Sequence, residues 1–166
     1  MTLLQSLFRQ KAAINEEFFV VIGKVDAEAN ASERHALIRL MNHIYVVDRI
    51  FASHLRGEPH GYAATNTPET PTLGALRDAV RASDRDYLEL VDALTPPQLA
   101  QTVDFTFTDG QYGRMTREEM LGHVITHGSY HRGEVGQSLK RIAASPPRDL
   151  FTAYLHRAEP QRRLPV

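Results

Sequence analysis

Four long stretches of the chain repeat apolar residues at the three-and-four spacing of a single helix face, and each is closed by residues that stop helices. Such stripes must be buried against one another, so the pattern predicts an all-α fold, a four-helix bundle. The first stretch runs from about Thr2 to Lys24, with Leu4, Leu7, Phe8, Phe18 and Ile22 among its apolar positions. The second runs from about Ser32 to Arg56 and meets Gly57, a residue suited to a C-terminal stop. Its segment Ile44-Tyr45-Val46-Val47 is apolar around most of the circumference, so covering on two sides is expected. A long loop, Glu58 to Thr70, follows, rich in Pro, Gly, Thr and Asn.

Thr70-Pro71 can cap and open the third stretch, whose stripe is Leu73, Leu76, Val80, Tyr87, Leu90 and Leu94, and Thr95-Pro96-Pro97 is expected to end it. Val103, Phe105 and Phe107 then alternate with polar residues up to Asp109-Gly110, the signature of a small β-hairpin rather than a sheet domain. Thr116-Arg117-Glu118-Glu119 reads as a capping box that starts the fourth long helix. That helix is expected to reach about Ala143, before Ser145-Pro146-Pro147. A short helix, Asp149 to Arg157, should pack Leu150, Phe151 and Tyr154 on the bundle, and the segment from Pro160 to Val166 should fray.

The 166 residues fit one domain spanning 1–166. With 42% hydrophobic and 23% charged residues, the chain has the balance of a globular protein. A net charge of −1 gives no electrostatic footprint for nucleic acid or an anionic membrane. No apolar run approaches the roughly 20 residues that span a bilayer, and Met1 to Lys11 lacks a cleavage signature, so a cytoplasmic location is expected. There are no cysteines, which removes disulfides, thiolate nucleophiles and thiolate metal ligands together. Any metal must be held by imidazole, carboxylate or backbone oxygen.

Attention therefore falls on the eight histidines. His123, His127 and His131 recur every four residues, and four residues on a helix return to nearly the same face. By composition, roughly 0.4 such pairs and about 0.02 such triples are expected by chance, so the triple carries information. The stripe Met120, Val124, His127, His131, Val135, Ser138, Ile142 places His127 and His131 on the core face, and His123 off its centre, as a structural or rim residue. Buried imidazoles need partners at both nitrogens: a metal and a carboxylate or carbonyl, or else hydroxyls and carbonyls alone. His43 is the best third donor, on the stripe Ala36, Leu40, His43, Val47, Ile50. His35, His54, His60 and His156 are expected at the surface. Asp48 also interrupts apolar surface, with Arg132 a plausible partner. Gly122, Gly128, Gly133 and Gly136 each cost the helix about 1 kcal/mol relative to Ala, implying close packing or open space around them.

Asn42-His43 followed by Tyr45-Val46-Val47-Asp48-Arg49, and His127-Gly128-Ser129-Tyr130-His131-Arg132-Gly133, resemble the DinB-like, damage-inducible family of metal-binding four-helix bundles, related to bacterial thiol-dependent S-transferases. The likeness extends over nearly the whole chain. It implies a metal site of His43, His127 and His131, with zinc, nickel or iron as the ion, and pairing of chains as a homodimer. Glu134 departs from the family's usual Gln after His-Arg-Gly, and its open roles are outer acceptor, general base or added ligand. A three-histidine site leaves a position for water or substrate. The expected function is a metal-dependent enzyme acting on a small molecule, either a transferase using a low-molecular-weight thiol or a hydrolase with Glu134 as candidate base. The alternative from another class is a non-catalytic metal-binding or stress-response protein.

Overall fold

The computed structural model describes residues 1–164. Four long helices form the body: α1 (Leu3–Gly23), α2 (Ala31–Arg56), α3 (Leu73–Ala93) and α5 (Arg117–Arg141). A single turn, α4 (Pro96–Leu99), and an antiparallel hairpin, β1 (Thr102–Thr106) and β2 (Tyr112–Thr116), separate α3 from α5. A short α6 (Phe151–Ala158) and a 3₁₀ turn (Pro160–Arg162) follow. In cross-section α1 packs on α3 and α5, and α2 packs on α5 and α3, so α1 and α2 face each other across the diagonal.

The helix ends follow from local chemistry. Thr116 Oγ1 accepts from the Glu119 amide while the Glu119 carboxylate accepts from the Thr116 amide at 2.7 Å, closing the expected capping box. Gly57 ends α2 at a φ of 70°, which favours glycine. Three boundaries differ from the sequence expectation. The cap of α3 is Thr72 rather than Thr70, its hydroxyl accepting from the Ala75 amide. Thr95-Pro96-Pro97 does more than end α3: the prolines sit in the first turn of α4, where a missing amide proton costs nothing. Finally, 160–162 is an ordered turn held by an Arg162–Glu159 ion pair, while the last two residues lie outside the described part. In the C-terminal segment Leu150 is exposed rather than packed, whereas Phe151 and Tyr154 are partly covered.

The apolar wrap of α2 is covered within the chain. Ile44, Val46 and Val47 are all buried among neighbours from the same bundle. The core divides into two apolar clusters, one around Phe8, Phe51, Tyr87 and Val124, the other around Phe18, Leu37, Leu76 and Leu139. Between them every long helix places polar residues at its core face: Lys11 and Asn15 from α1, Asp48 from α2, Asp84 from α3 and Arg132 from α5. Lys11 Nζ lies 2.7 Å from Asp48 Oδ2 and 2.6 Å from Asp84 Oδ1, and Asn15 donates to Asp84 Oδ2 at 2.9 Å. The partner of Asp48 is thus Lys11, not Arg132. Arg132, 1% exposed, donates to Asp149, Asn15 and Ser129. Its guanidinium folds back over Gly128, where an added Cβ would come within 2.9 Å of Nη1. That accounts for one of the four helix glycines by close packing. Gly136 packs against Pro146, while Gly122 and Gly133 have open space where a Cβ would go.

Candidate metal centre

The polar layer reaches the surface at the seam between α2 and α5, and there the three histidines meet. His43 Nε2 lies 3.1 Å from His131 Nε2 and 3.1 Å from His127 Nε2. One ligand atom from each of His43, His127 and His131 falls within 4.8 Å of the others. All three rings are partly covered rather than buried. The core face of α5 runs through Leu121, Val124, Gly128, Arg132, Val135 and Leu139, so the histidines flank the apolar stripe and do not interrupt its centre. The stripe is turned by about one residue from the sequence reading because Arg132, with its ring of acceptors, takes the core position.

Hydrogen bonding fixes which nitrogens face inward. His43 Nδ1 lies 2.7 Å from the Thr65 carbonyl, which only accepts, so that nitrogen carries the proton. His131 Nδ1 lies 2.5 Å from Glu134 Oε2 and likewise donates. In the neutral rings both Nε2 atoms then present lone pairs to each other, with no proton between them. Lone pairs at that separation repel unless a cation joins them. Two imidazoles on one tetrahedral zinc, with bonds of about 2.0–2.1 Å, place their nitrogens roughly 3.3 Å apart. The donor set therefore fits a small divalent ion. Burial, helped by neighbouring imidazoles, pushes His127 down to about 3, and burial lowers His43 as well despite the Thr65 carbonyl. Both effects favour the neutral form that ligates. Among the described residues the His127 Nδ1 atom has no partner.

The loop before α3 supplies the outer contacts. Asn42, 2% exposed, donates Nδ2 to Asn66 Oδ1 and to Thr67 Oγ1. Asn66 donates to the Arg39 carbonyl at 3.1 Å, and Arg39 donates to the Thr67 carbonyl at 2.6 Å. Residues 65–67 are thereby pinned to α2 beside His43, holding the Thr65 carbonyl against its ring.

The model of the DinB family matches residues 2–163. The chain belongs to the DinB family. No curated protein matches the chain. In this DinB protein the fold expected from the resemblance is present: a mostly helical bundle with a small hairpin before α5 and a short helix near the C-terminus. No helix among the described residues is long and apolar enough to cross a membrane.

Of the other histidines, His123 stacks on Phe51 with ring centroids 4.5 Å apart and lies 5.4 Å from the His127 ring, at the rim as expected. His54 and His60 are not simply surface residues. They are partly covered, with their centroids 5.2 Å apart and His54 5.0 Å from the Phe105 ring. His156 is also partly covered, while His35 is exposed. The hairpin causes the covering of His54, because Gly113 lets the Phe105 and Phe107 rings cross the strand where a Cβ would collide. Asn42 enters the sequence reading only within the motif that carries the resemblance, and the Thr65 carbonyl does not enter it. Asn42 does fall one residue beyond Met41 on a buried face, but a backbone carbonyl 22 residues away leaves no sequence signal.

Proposed function

We propose that His43, His127 and His131 hold one divalent ion, of the zinc, nickel or iron kind, and that the chain is a metal-dependent transferase using a low-molecular-weight thiol. The observation that carries this reading is the convergence of three imidazole nitrogens, with the ring protons of His43 and His131 committed outward. Among the described residues no carboxylate joins the group, which leaves a coordination position for a substrate atom. When bound, the ion supplies Lewis acidity that lowers the pKa of a thiol or water in that position.

The chain's own residues do the rest. The Thr65 carbonyl and Glu134 hold the protons of His43 and His131 on Nδ1, which keeps each Nε2 directed at one point and raises its basicity. Glu134 spends one oxygen on His131, which makes it an outer acceptor and a poor general base for hydrolysis, so thiol transfer is favoured over ester cleavage. With no cysteine in the chain, the sulfur must come from a small molecule. In the transfer the thiol gives its proton to solvent and its sulfur forms a bond to the electrophilic carbon. The carbon's bond to the leaving group breaks, and that group departs with the electron pair. Pairing of two chains is carried by the family resemblance alone, because α2 has no free apolar face for it.

The test is a panel of small thiols with 1-chloro-2,4-dinitrobenzene, alongside p-nitrophenyl esters, using metal-loaded and metal-stripped protein. Conjugation that needs both thiol and metal is expected. Metal-dependent ester cleavage without a thiol would replace this reading with the hydrolase, and no metal-dependent turnover of either kind would overturn it.

A further inference from the structure

A groove of about 620 Å³ opens at the same α2–α5 seam, directly beyond the histidines. Leu40 of α2 lies at one wall, one helical turn before His43, and the other wall is α5 from Tyr130 to Arg141. None of the three histidines lines the groove, and its near end reaches them through two residues: the Tyr130 ring stands edge-on to His131 at 5.0 Å, and Glu134 is bonded to His131 Nδ1. Tyr130 is 69% exposed, which leaves its ring free to lie against a bound molecule. Gly133 keeps the floor open, since a Cβ there would meet nothing within 4 Å. The volume falls inside the range of small-molecule sites, roughly 300–1,000 Å³.

The two ends of this groove differ in charge. Glu134 places a carboxylate beside the metal centre, while the far end carries Arg141. Among the described residues no carboxylate lies within ion-pair distance of Arg141, the one arginine that lines the groove. Arg141 is ten residues from His131, about 15 Å along the helix axis, and helical side chains lean toward the N-terminus, which brings the guanidinium back toward the site.

We propose that this groove is the substrate subsite of the centre and that it takes an elongated molecule with an anionic end. Its metal-reactive atom reaches the three histidines, its middle lies along Tyr130, Gly133 and Gln137, and its carboxylate pairs with Arg141. The reverse orientation would set the carboxylate against Glu134. For the thiol reading this selects a thiol whose acid group is separated from sulfur by roughly 10 Å, and it rests on that reading.

The full chain loaded with Co(II) provides the test, because thiolate ligation adds a sulfur-to-cobalt band in the near ultraviolet that reports binding without turnover. The probes are 8-mercaptooctanoate, 8-mercaptooctanol and 3-mercaptopropionate. The long acid is expected to bind about tenfold more tightly than the long alcohol, and Arg141→Gln to remove that difference while leaving the cobalt spectrum and the binding of the short acid unchanged. Equal binding of the two long thiols, or a difference that survives Arg141→Gln, would overturn the subsite while leaving thiol binding standing. Absence of the band with every thiol would instead overturn the thiol reading, and this subsite for a thiol with it.

Discussion

Two polar clusters lie at the same level of this bundle and differ in how complete they are. In the interior, Lys11 is shared between Asp48 and Asp84, and Arg132 meets three acceptors, so each charged group has a partner within the chain. Among the described residues Asp48 Oδ1 is the one carboxylate oxygen of the cluster without a hydrogen bond. At the α2–α5 seam, three imidazoles turn nitrogens toward one another, and those of His43 and His131 face each other with no proton between them. The first cluster closes on itself and holds four helices in register. The second leaves three imidazole nitrogens placed so that they could hold a metal ion. Residue type alone does not separate a structural cluster from a functional one; the accounting of donors and acceptors does.

The sharpest way to break the comparison is to open the closed cluster. Lys11→Met strands two buried carboxylates and should lower stability by about 3–5 kcal/mol, read by chemical denaturation. Adding Asp48→Met and Asp84→Met should recover most of the loss, since apolar replacement of a whole buried ion cluster is often tolerated. A small effect from Lys11→Met alone would show that the cluster is hydrated rather than closed.

At the open cluster, Asn42→Leu frees residues 65–67 and deprives His43 of its carbonyl partner. Metal affinity is expected to fall about 10–100-fold in a competition titration with a chelator, and unchanged affinity would mean that the loop does not position the ring. The glycines give a smaller and signed contrast. Gly122→Ala should stabilise by up to about 1 kcal/mol, because a Cβ there has open space. Gly128→Ala gains the same propensity but meets a guanidinium held by three acceptors, so its net effect should be destabilising. Equal gains in thermal melts at both positions would show that Arg132 is free to move.

A further contrast is one of pH. Burial pushes the Asp48 carboxyl up to about 6, against the pull of Lys11 and with help from Asp84. A carboxyl raised on folding binds its proton more tightly in the folded than in the unfolded state, so its contribution is unfavourable above about 6 and fades as pH falls toward the ordinary range. Measured on metal-free protein, wild type should therefore lose stability relative to Asp48→Asn as pH rises from 4 to 7. A gain over that interval would show that Lys11 holds the carboxyl below its ordinary value.

Much of this was legible in the sequence, because the three-and-four periodicity, the Thr116–Glu119 capping box and the proline stops are local signals. The histidine triple was legible for the same reason, being a spacing within one helix. The interior cluster was only half visible. Lys11 and Asn15 sit at core spacing between Phe8 and Phe18, and Asp48 between Ile44 and Phe51, but which charge meets which depends on how the helices pack across the bundle. Hence the sequence offers Arg132 as a plausible partner for Asp48, whereas Lys11 takes it. The turn of α5 that puts Arg132 inward and the histidines at the edge is likewise set by the acceptors on α1 and in the segment before α6, which periodicity along α5 does not contain.

The most direct test of the centre is elemental analysis with metal-edge X-ray absorption on protein purified without affinity resin, comparing wild type with His127→Ala. The expected result is one divalent ion per chain with three imidazole nitrogens at about 2.0–2.1 Å, lost in the variant while the metal-free fold persists. A chain that takes up no stoichiometric ion, or a variant with unchanged metal content, would contradict it.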